Sequence, residues 1–227
     1  MRPKNIRLNS LSDDDDGIAQ DQTIGGAGNL VLNGALVTDG VAIAGAGQQV
    51  QLESVANLSA INFTITGTST DSVDNQTVSE TIAGPNAGTT ATTLYFKTVT
   101  QIAVSAAVGT DVKAGWVAAN GAVTQSVPVS YSQVDFKNSY QVALTTGATL
   151  TYTVDHTSSQ PEYQIVDGVR ENWSNGFQAG AEWLPTTGLT GLSASQDGNI
   201  AFPIRAVRLR FSAYTSGSAL FTIMQGT

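Results

Sequence analysis

Apolar and polar side chains alternate with a period of two through much of this 227-residue chain, and no helix-period stretch of useful length interrupts them. That property restricts the chain to strands. Ile61, Phe63 and Ile65 point one way and Asn62, Thr64 and Thr66 the other, as a half-buried strand requires. Gly67 to Asn75 reads as turn chemistry and Thr77 to Ile82 as a returning strand. Gly84-Pro85-Asn86-Ala87-Gly88 reads as a stretch that continues neither strand nor helix. Leu94 to Val104 is a further β run, and a bend is expected near Lys97-Thr98, where the apolar parity changes. These three strands are expected to form a meander, the nucleus of an antiparallel sheet.

The same reading extends to both sides. Asn29 to Leu36 and Val41 to Ala44 read as short strands around a hairpin signal at Thr38-Asp39-Gly40. Val50 and Leu52 alternate with Gln51 and Glu53, and Val112, Ala114 and Trp116 alternate with Lys113 and Gly115. After the small, polar stretch Ala118 to Ala122, three strands are expected: Val127-Val129-Tyr131, Tyr140-Val142-Leu144 and Leu150-Tyr152-Val154. Val207, Leu209 and Phe211 are expected to pack inward with Ala206, Arg208 and Arg210 outward, and Ala219 to Met224 to form the terminal strand. The expected fold is all-β: two small antiparallel domains, sandwich or jelly-roll-like, with an extended N-terminal arm. Residues 1–28 form the arm and an acidic, Gly-rich loop, 29–122 the first domain, and 123–227 the second, which carries a long loop over 155–203.

Composition narrows the partners. A net charge of −8 argues against nucleic acid, because phosphate binding needs a basic face. No run of about 18 apolar residues offers a membrane span, and Met-Arg-Pro-Lys-Asn lacks the apolar core of a signal peptide. With no cysteine, disulfides, thiol chemistry and cysteine-ligated metal are excluded.

The runs ITGT, SETIAGPNAGT and FKTVTQIAV resemble a segment of tailed-bacteriophage virion proteins of similar length. RLNSLSDDDDGIAQDQTIGGAGNLVLNGALV is similar to their opening, and NIAFPIRAVRLRFSAYTSGSALFTIMQG to their closing strands. The likeness rests on glycine, threonine and turn residues, not on a catalytic signature. It implies a structural component of the virion, most readily a capsid decoration (cement) protein on the head surface, assembled in the host cytoplasm. Its partners would be the major capsid protein or other virion proteins, and copies of itself as a homo-oligomer. A tail, collar or fibre-base component and a glycan-binding attachment module are the alternatives.

Reactive constellations are sparse. His156, the only histidine, is expected in a loop, and no G-x-S-x-G elbow accompanies it. One histidine without cysteine does not make an ordinary zinc site. Glu162, Asp167, Glu171 and Glu182 lie near Tyr163, Trp173 and Trp183, a mixture of acids and aromatics that can bind sugar. Asp13, Asp14, Asp15 and Asp16 are adjacent but lack the spaced EF-hand pattern, and their carboxylates are expected to diverge. No catalytic residue, metal ligand or cofactor is therefore assigned, and no enzymatic activity is expected. The candidate interface residues are Arg2, Lys4 and Arg7 in the arm, Arg170, Trp173 and Trp183 in the long loop, and Arg208 and Arg210 on one face of a late strand.

Overall fold

The computed structural model describes residues 3–70, 77–117, 122–129, 138–159, 165–166, 169–170 and 181–225. In chain order the first half holds β1 (Lys4–Asn9), β2 (Asp14–Ile24), β3 (Gly28–Asn29), β4 (Val37–Thr38), β5 (Val41–Gln48) and β6 (Val50–Asn57). It continues with β7 (Asn62–Ser69), β8 (Thr77–Ala83), β9 (Asn86–Ala91), β10 (Phe96–Val104) and β11 (Val108–Trp116). The second half holds β12 (Ala122–Val123), β13 (Val127–Pro128), β14 (Asn138–Leu144), β15 (Thr149–Thr157), β16 (Ile165–Val166) and β17 (Val169–Arg170). It ends with β18 (Leu184–Pro185), β19 (Gln196–Ile200), β20 (Ala206–Ser216) and β21 (Ser218–Gln225).

The protein is all-β, and its sheets are antiparallel. An 11-stranded sheet with the path β18-β15-β20-β12-β5-β10-β7-β8 runs through both halves. Against its first-half part lies a four-stranded sheet, β2-β11-β6-β9, and against its second-half part another, β1-β21-β14-β19. Two apolar cores fill the spaces between. Phe63, Ile65, Phe96, Ile102, Leu52 and Trp116 anchor the first; Tyr152, Phe211, Phe221, Leu209 and Val142 anchor the second. The division falls between Trp116 and Ala122, with Leu8 and Ala46 as exceptions that belong to the second core. The halves are fused, because β12 pairs with β5 on one side and β20 on the other.

Much of the strand alternation is realised. Val50, Leu52, Phe63, Ile65, Val112, Ala114, Trp116, Tyr140, Val142, Leu150, Tyr152 and Val154 are buried where the pattern puts them. The hairpin at Thr38-Asp39-Gly40 joins β4 to β5, with positive φ at both Asp39 (51°) and Gly40 (78°), as a type I′ turn demands. The bend near Lys97-Thr98 is a register shift in β10 between Phe96 and Thr98.

Other expectations are corrected. Within the stretch expected as an arm and loop, most of the described residues lie in strands: β1 pairs along its length with β21, and Asp14 to Ile24 is a strand of 11 residues. Leu8 is drawn into the second core, which explains why a basic, short segment takes up strand pairing. Asn29 to Leu36 is mostly not strand. It runs beside β2 instead, where Gly34 and Leu36 donate to the carbonyls of Ile18 and Gly17.

The meander is broken too. Gly84-Pro85 ends β8, but the chain resumes as β9 in the facing sheet and returns as β10 beside β7. At Gly84 a Cβ would sit 2.6 Å from the Leu58 carbonyl oxygen, so the crossing is too tight for a side chain. Gly67 lies inside β7, which runs on to Ser69, and only Thr70 of that expected turn is a described turn residue; 71–75 lie outside the described residues. Within 155–203, β15 continues to Thr157, and β18 and β19 add further strand. Tyr131 lies outside the described residues.

Candidate functional site

The register of β15 against β20 places Asp155 opposite Arg208, and Thr153 opposite Arg210. Alternation sends Tyr152, Val154, Leu209 and Phe211 into the second core, so Asp155 and the two arginines share the other face. That face was expected to meet solvent. Around Asp155 it does not: Asp155 is 2% exposed and Arg208 6%, and Arg210 is half-buried.

Two aromatic rings contribute to the burial of Arg208. The Arg208 guanidinium lies 4.3 Å from the ring centroid of Trp183 and 5.3 Å from that of Tyr95. Cation–π contacts of this kind stabilise by about 0.5–2 kcal/mol, more when water is excluded. Beneath them the Asp155 carboxylate accepts from Arg210 twice, Nε at 2.8 Å and Nη2 at 3.2 Å, and from Arg208 Nε at 3.4 Å. The hydrogen bond to Asp155 raises the Arg210 pKa further. Burial raises that of Tyr95, with Arg208 and Arg210 pulling it back.

Tyr95 comes from the first half, so this cluster spans the two halves. Its position is set by Glu80 on β8. That carboxylate accepts from the backbone N–H of Thr93 (2.9 Å), the Thr93 hydroxyl (2.8 Å) and the N–H of Leu94 (2.8 Å). The turn that delivers Tyr95 is thereby tied to the edge of the long sheet.

A second tie is the fully buried side chain of Gln48. Its Oε1 accepts from Leu11 N–H at 2.8 Å, and its Nε2 donates to the Val117 carbonyl at 3.0 Å. Leu11 and Val117 lie where the chain passes between halves, so one amide pins both crossings.

The remaining expected residues are dispersed. Lys4 and Arg7 lie on β1, where Arg7 donates to the Ser218 hydroxyl at 3.0 Å. Trp183 joins the cluster around Asp155, and the face it turns to Arg208 is not open to a sugar. Arg2, Trp173, Glu162, Tyr163, Asp167 and Glu171 lie outside the described residues, and of Arg170 only the backbone in β17 is described.

His156 is a strand residue of β15, not a loop residue. Its Nδ1 lies 3.0 Å from the Thr186 hydroxyl, and Phe202 meets its ring edge-on at 5.0 Å. Burial lowers its pKa, against an opposing pull from Asp155. The ring nitrogen Nδ1 and the hydroxyl satisfy each other, which is a packing arrangement.

The acidic run also differs from expectation. Asp14, Asp15 and Asp16 each bring a carboxylate oxygen within 4.8 Å of the others, instead of diverging. The cause is a register shift: Ala114 faces Ala19, but Trp116 faces Asp14, so β2 bulges across the interval. Lys113 bridges this group to β6, pairing with Asp15 and, at 3.4 Å, with Glu53. The hydrogen bond with Lys113 lowers the Asp15 pKa and raises that of Lys113. Asp16 is raised by desolvation and then by Asp14. These carboxylates are exposed or half-exposed, and their convergence alone assigns no ion.

Sequence reasoning missed Asp155, Tyr95, Glu80 and Gln48. Asp155 left a weak signal, an acid on a strand directly after three inward apolar residues. The others carried none, because their partners are distant in sequence and only strand register brings them together.

No protein-family model and no curated protein matches the chain. Among solved structures, one similar chain comes from the cryo-EM atomic structure of broad bean stain virus, at 8% identity. The alignment covers 97% of this chain and 88% of that one, with a TM-score of 0.20. A TM-score this low bears on neither fold nor function.

Proposed function

We propose that this chain is a non-enzymatic structural protein of a tailed-bacteriophage particle, decorating the head lattice through repeated contacts with the major capsid protein. The observation that supports the reading is how its polar side chains are used. Asp155, Arg208, Arg210, Tyr95 and Trp183 meet one another across the two halves, and Gln48 ties both crossings between them. Such a body suits a rigid clamp, which loses little freedom when it docks. A modest contact per copy, repeated by the symmetry of a particle, sums to strong attachment. The resemblance of the ITGT, SETIAGPNAGT and FKTVTQIAV runs to phage virion proteins points the same way.

Copy number tests the proposal. Quantitative mass spectrometry of purified particles should find on the order of hundreds of copies per head, as symmetric coverage of a lattice requires. About a dozen copies would place the chain at a tail or portal instead. Particles without any copies would overturn the reading.

A further inference from the structure

A sheet edge with open main-chain groups is a template for another strand, and proteins blunt such edges with lysine, proline, bulges or covering loops. This chain does so almost everywhere among its described residues. β1 carries Lys4 and Arg7. The edge of β2 is covered by residues 31–36, through Gly34, Leu36 and the Gln20–Asn33 and Gln22–Val31 bonds. β9 has a positive φ at Ala87 and a register shift against β6. β18 is two residues long and contains Pro185, and β19 is short and carries Asp197.

β8 is the exception. It closes the 11-stranded sheet with seven residues, Thr-Val-Ser-Glu-Thr-Ile-Ala, in unbroken register with β7 and without proline, lysine or bulge. Its outward groups can be assigned. Asn62 exchanges bonds with Ser105, and the Thr66 carbonyl accepts from Thr100, so even-numbered residues of β7 address β10. Odd-numbered residues of β7 therefore address β8, through the pairs Phe63–Ile82, Ile65–Glu80 and Gly67–Val78. The N–H and C=O groups of Thr77, Ser79, Thr81 and Ala83 consequently point away from the sheet, and their side chains are exposed.

We propose that β8 is a self-association edge, pairing antiparallel with β8 of a second copy about a two-fold axis. Charge does not oppose this occupant at the edge itself, and self-complementarity selects it. Two chains of net charge −8 repel in general, but the only charge on β8 is Glu80, whose carboxylate is turned inward onto Thr93 and Leu94. What each edge offers is a row of threonine, serine and alanine, which matches its own reverse. Two seven-residue strands bury less than the roughly 1,200–2,000 Å² of a stable interface. The free dimer is accordingly weak and is reinforced where copies are held close together. The inference goes beyond the particle reading and does not depend on it.

Sedimentation velocity of the full chain, up to about 0.5 mM, tests it on the concentration scale of weak complexes. A reversible dimer should form, and the Ser79 and Thr81 amides should gain protection from hydrogen exchange with concentration. Ser79→Pro removes one outward N–H and should weaken dimerisation at least tenfold. Ser79→Ala loses the same hydroxyl contact to Thr66 but keeps the N–H, and should dimerise like the parent chain. Thr81→Lys places a charge on the edge without touching the backbone and should also abolish the dimer, which covers the case in which the proline variant misfolds. A parent chain monomeric throughout, or a folded Ser79→Pro or Thr81→Lys variant that still dimerises, overturns the inference. So does concentration-dependent protection confined to another strand. A parent chain that binds particles yet stays monomeric would remove this inference alone, and a parent chain that dimerises without binding particles would remove only the particle reading.

Discussion

Asp155 and Arg210 are held by two hydrogen bonds, at 2.8 and 3.2 Å, between residues 55 positions apart whose strands are not offset enough to put them face to face. Asp155 is directly opposite Arg208, so its bond to Arg210 is a diagonal one within the same sheet face. One buried carboxylate thus serves two guanidiniums. Removing it takes a charged acceptor from both, one buried and one half-buried.

Asp155→Asn should therefore destabilise the fold by about 3–5 kcal/mol, the usual cost of leaving a buried charge unpaired. Urea denaturation of the variant and the parent chain measures this. A loss below about 1 kcal/mol, the range of a surface pair, would show that water reaches the cluster.

Glu80→Gln replaces a charged acceptor that receives three donors from Thr93 and Leu94. Hydrogen bonds to a charged group contribute about 1.5–3 kcal/mol each, and partial exposure puts the expected loss near the lower figure. The distinguishing result is local: amide exchange at residues 93–95 should accelerate, and the Tyr95 contact with Arg208 should loosen, while the β15–β20 pairing stays protected.

Gln48→Leu keeps the approximate volume but orphans the Leu11 N–H and the Val117 carbonyl. Each buried group left unpaired costs about 1–3 kcal/mol. Because both lie on crossings between the halves, the thermal transition should broaden or split as the cores lose their coupling. A sharp transition at an unchanged midpoint would show that the β12 pairing suffices to couple them.

His156 introduces a pH dependence of known sign. Burial holds its pKa below the usual 6.5, so the unfolded chain takes up the proton first. Its contribution is complete above pH about 6.5 and is lost as pH falls through the lower folded value. Relative to His156→Asn, the parent chain should lose stability between pH 7.5 and pH 5. Equal slopes for the two chains in that interval would mean that the ring is solvated.

The alternation around Ile61 to Ile65, Val112 to Trp116 and Leu150 to Val154 determined by itself that the chain is all-β and which face of those strands enters the cores, because side-chain period two leaves one face to bury. The Asp39-Gly40 hairpin was equally local: two positive φ angles are a property of adjacent residues. What only the tertiary structure decided was which strands are neighbours. Nothing in RAVRLR says that Asp155 lies opposite it or that Tyr95 and Trp183 cover it, so of two arginines that alternation turns outward, Arg208 is in fact enclosed and Arg210 half-buried. The same holds for β1, whose composition suggests a loose arm until β21 is seen to supply its ladder. Strand identity is written in short-range pattern, whereas pairing is a balance of contacts between segments far apart in sequence, and that balance is settled only when the whole chain is folded.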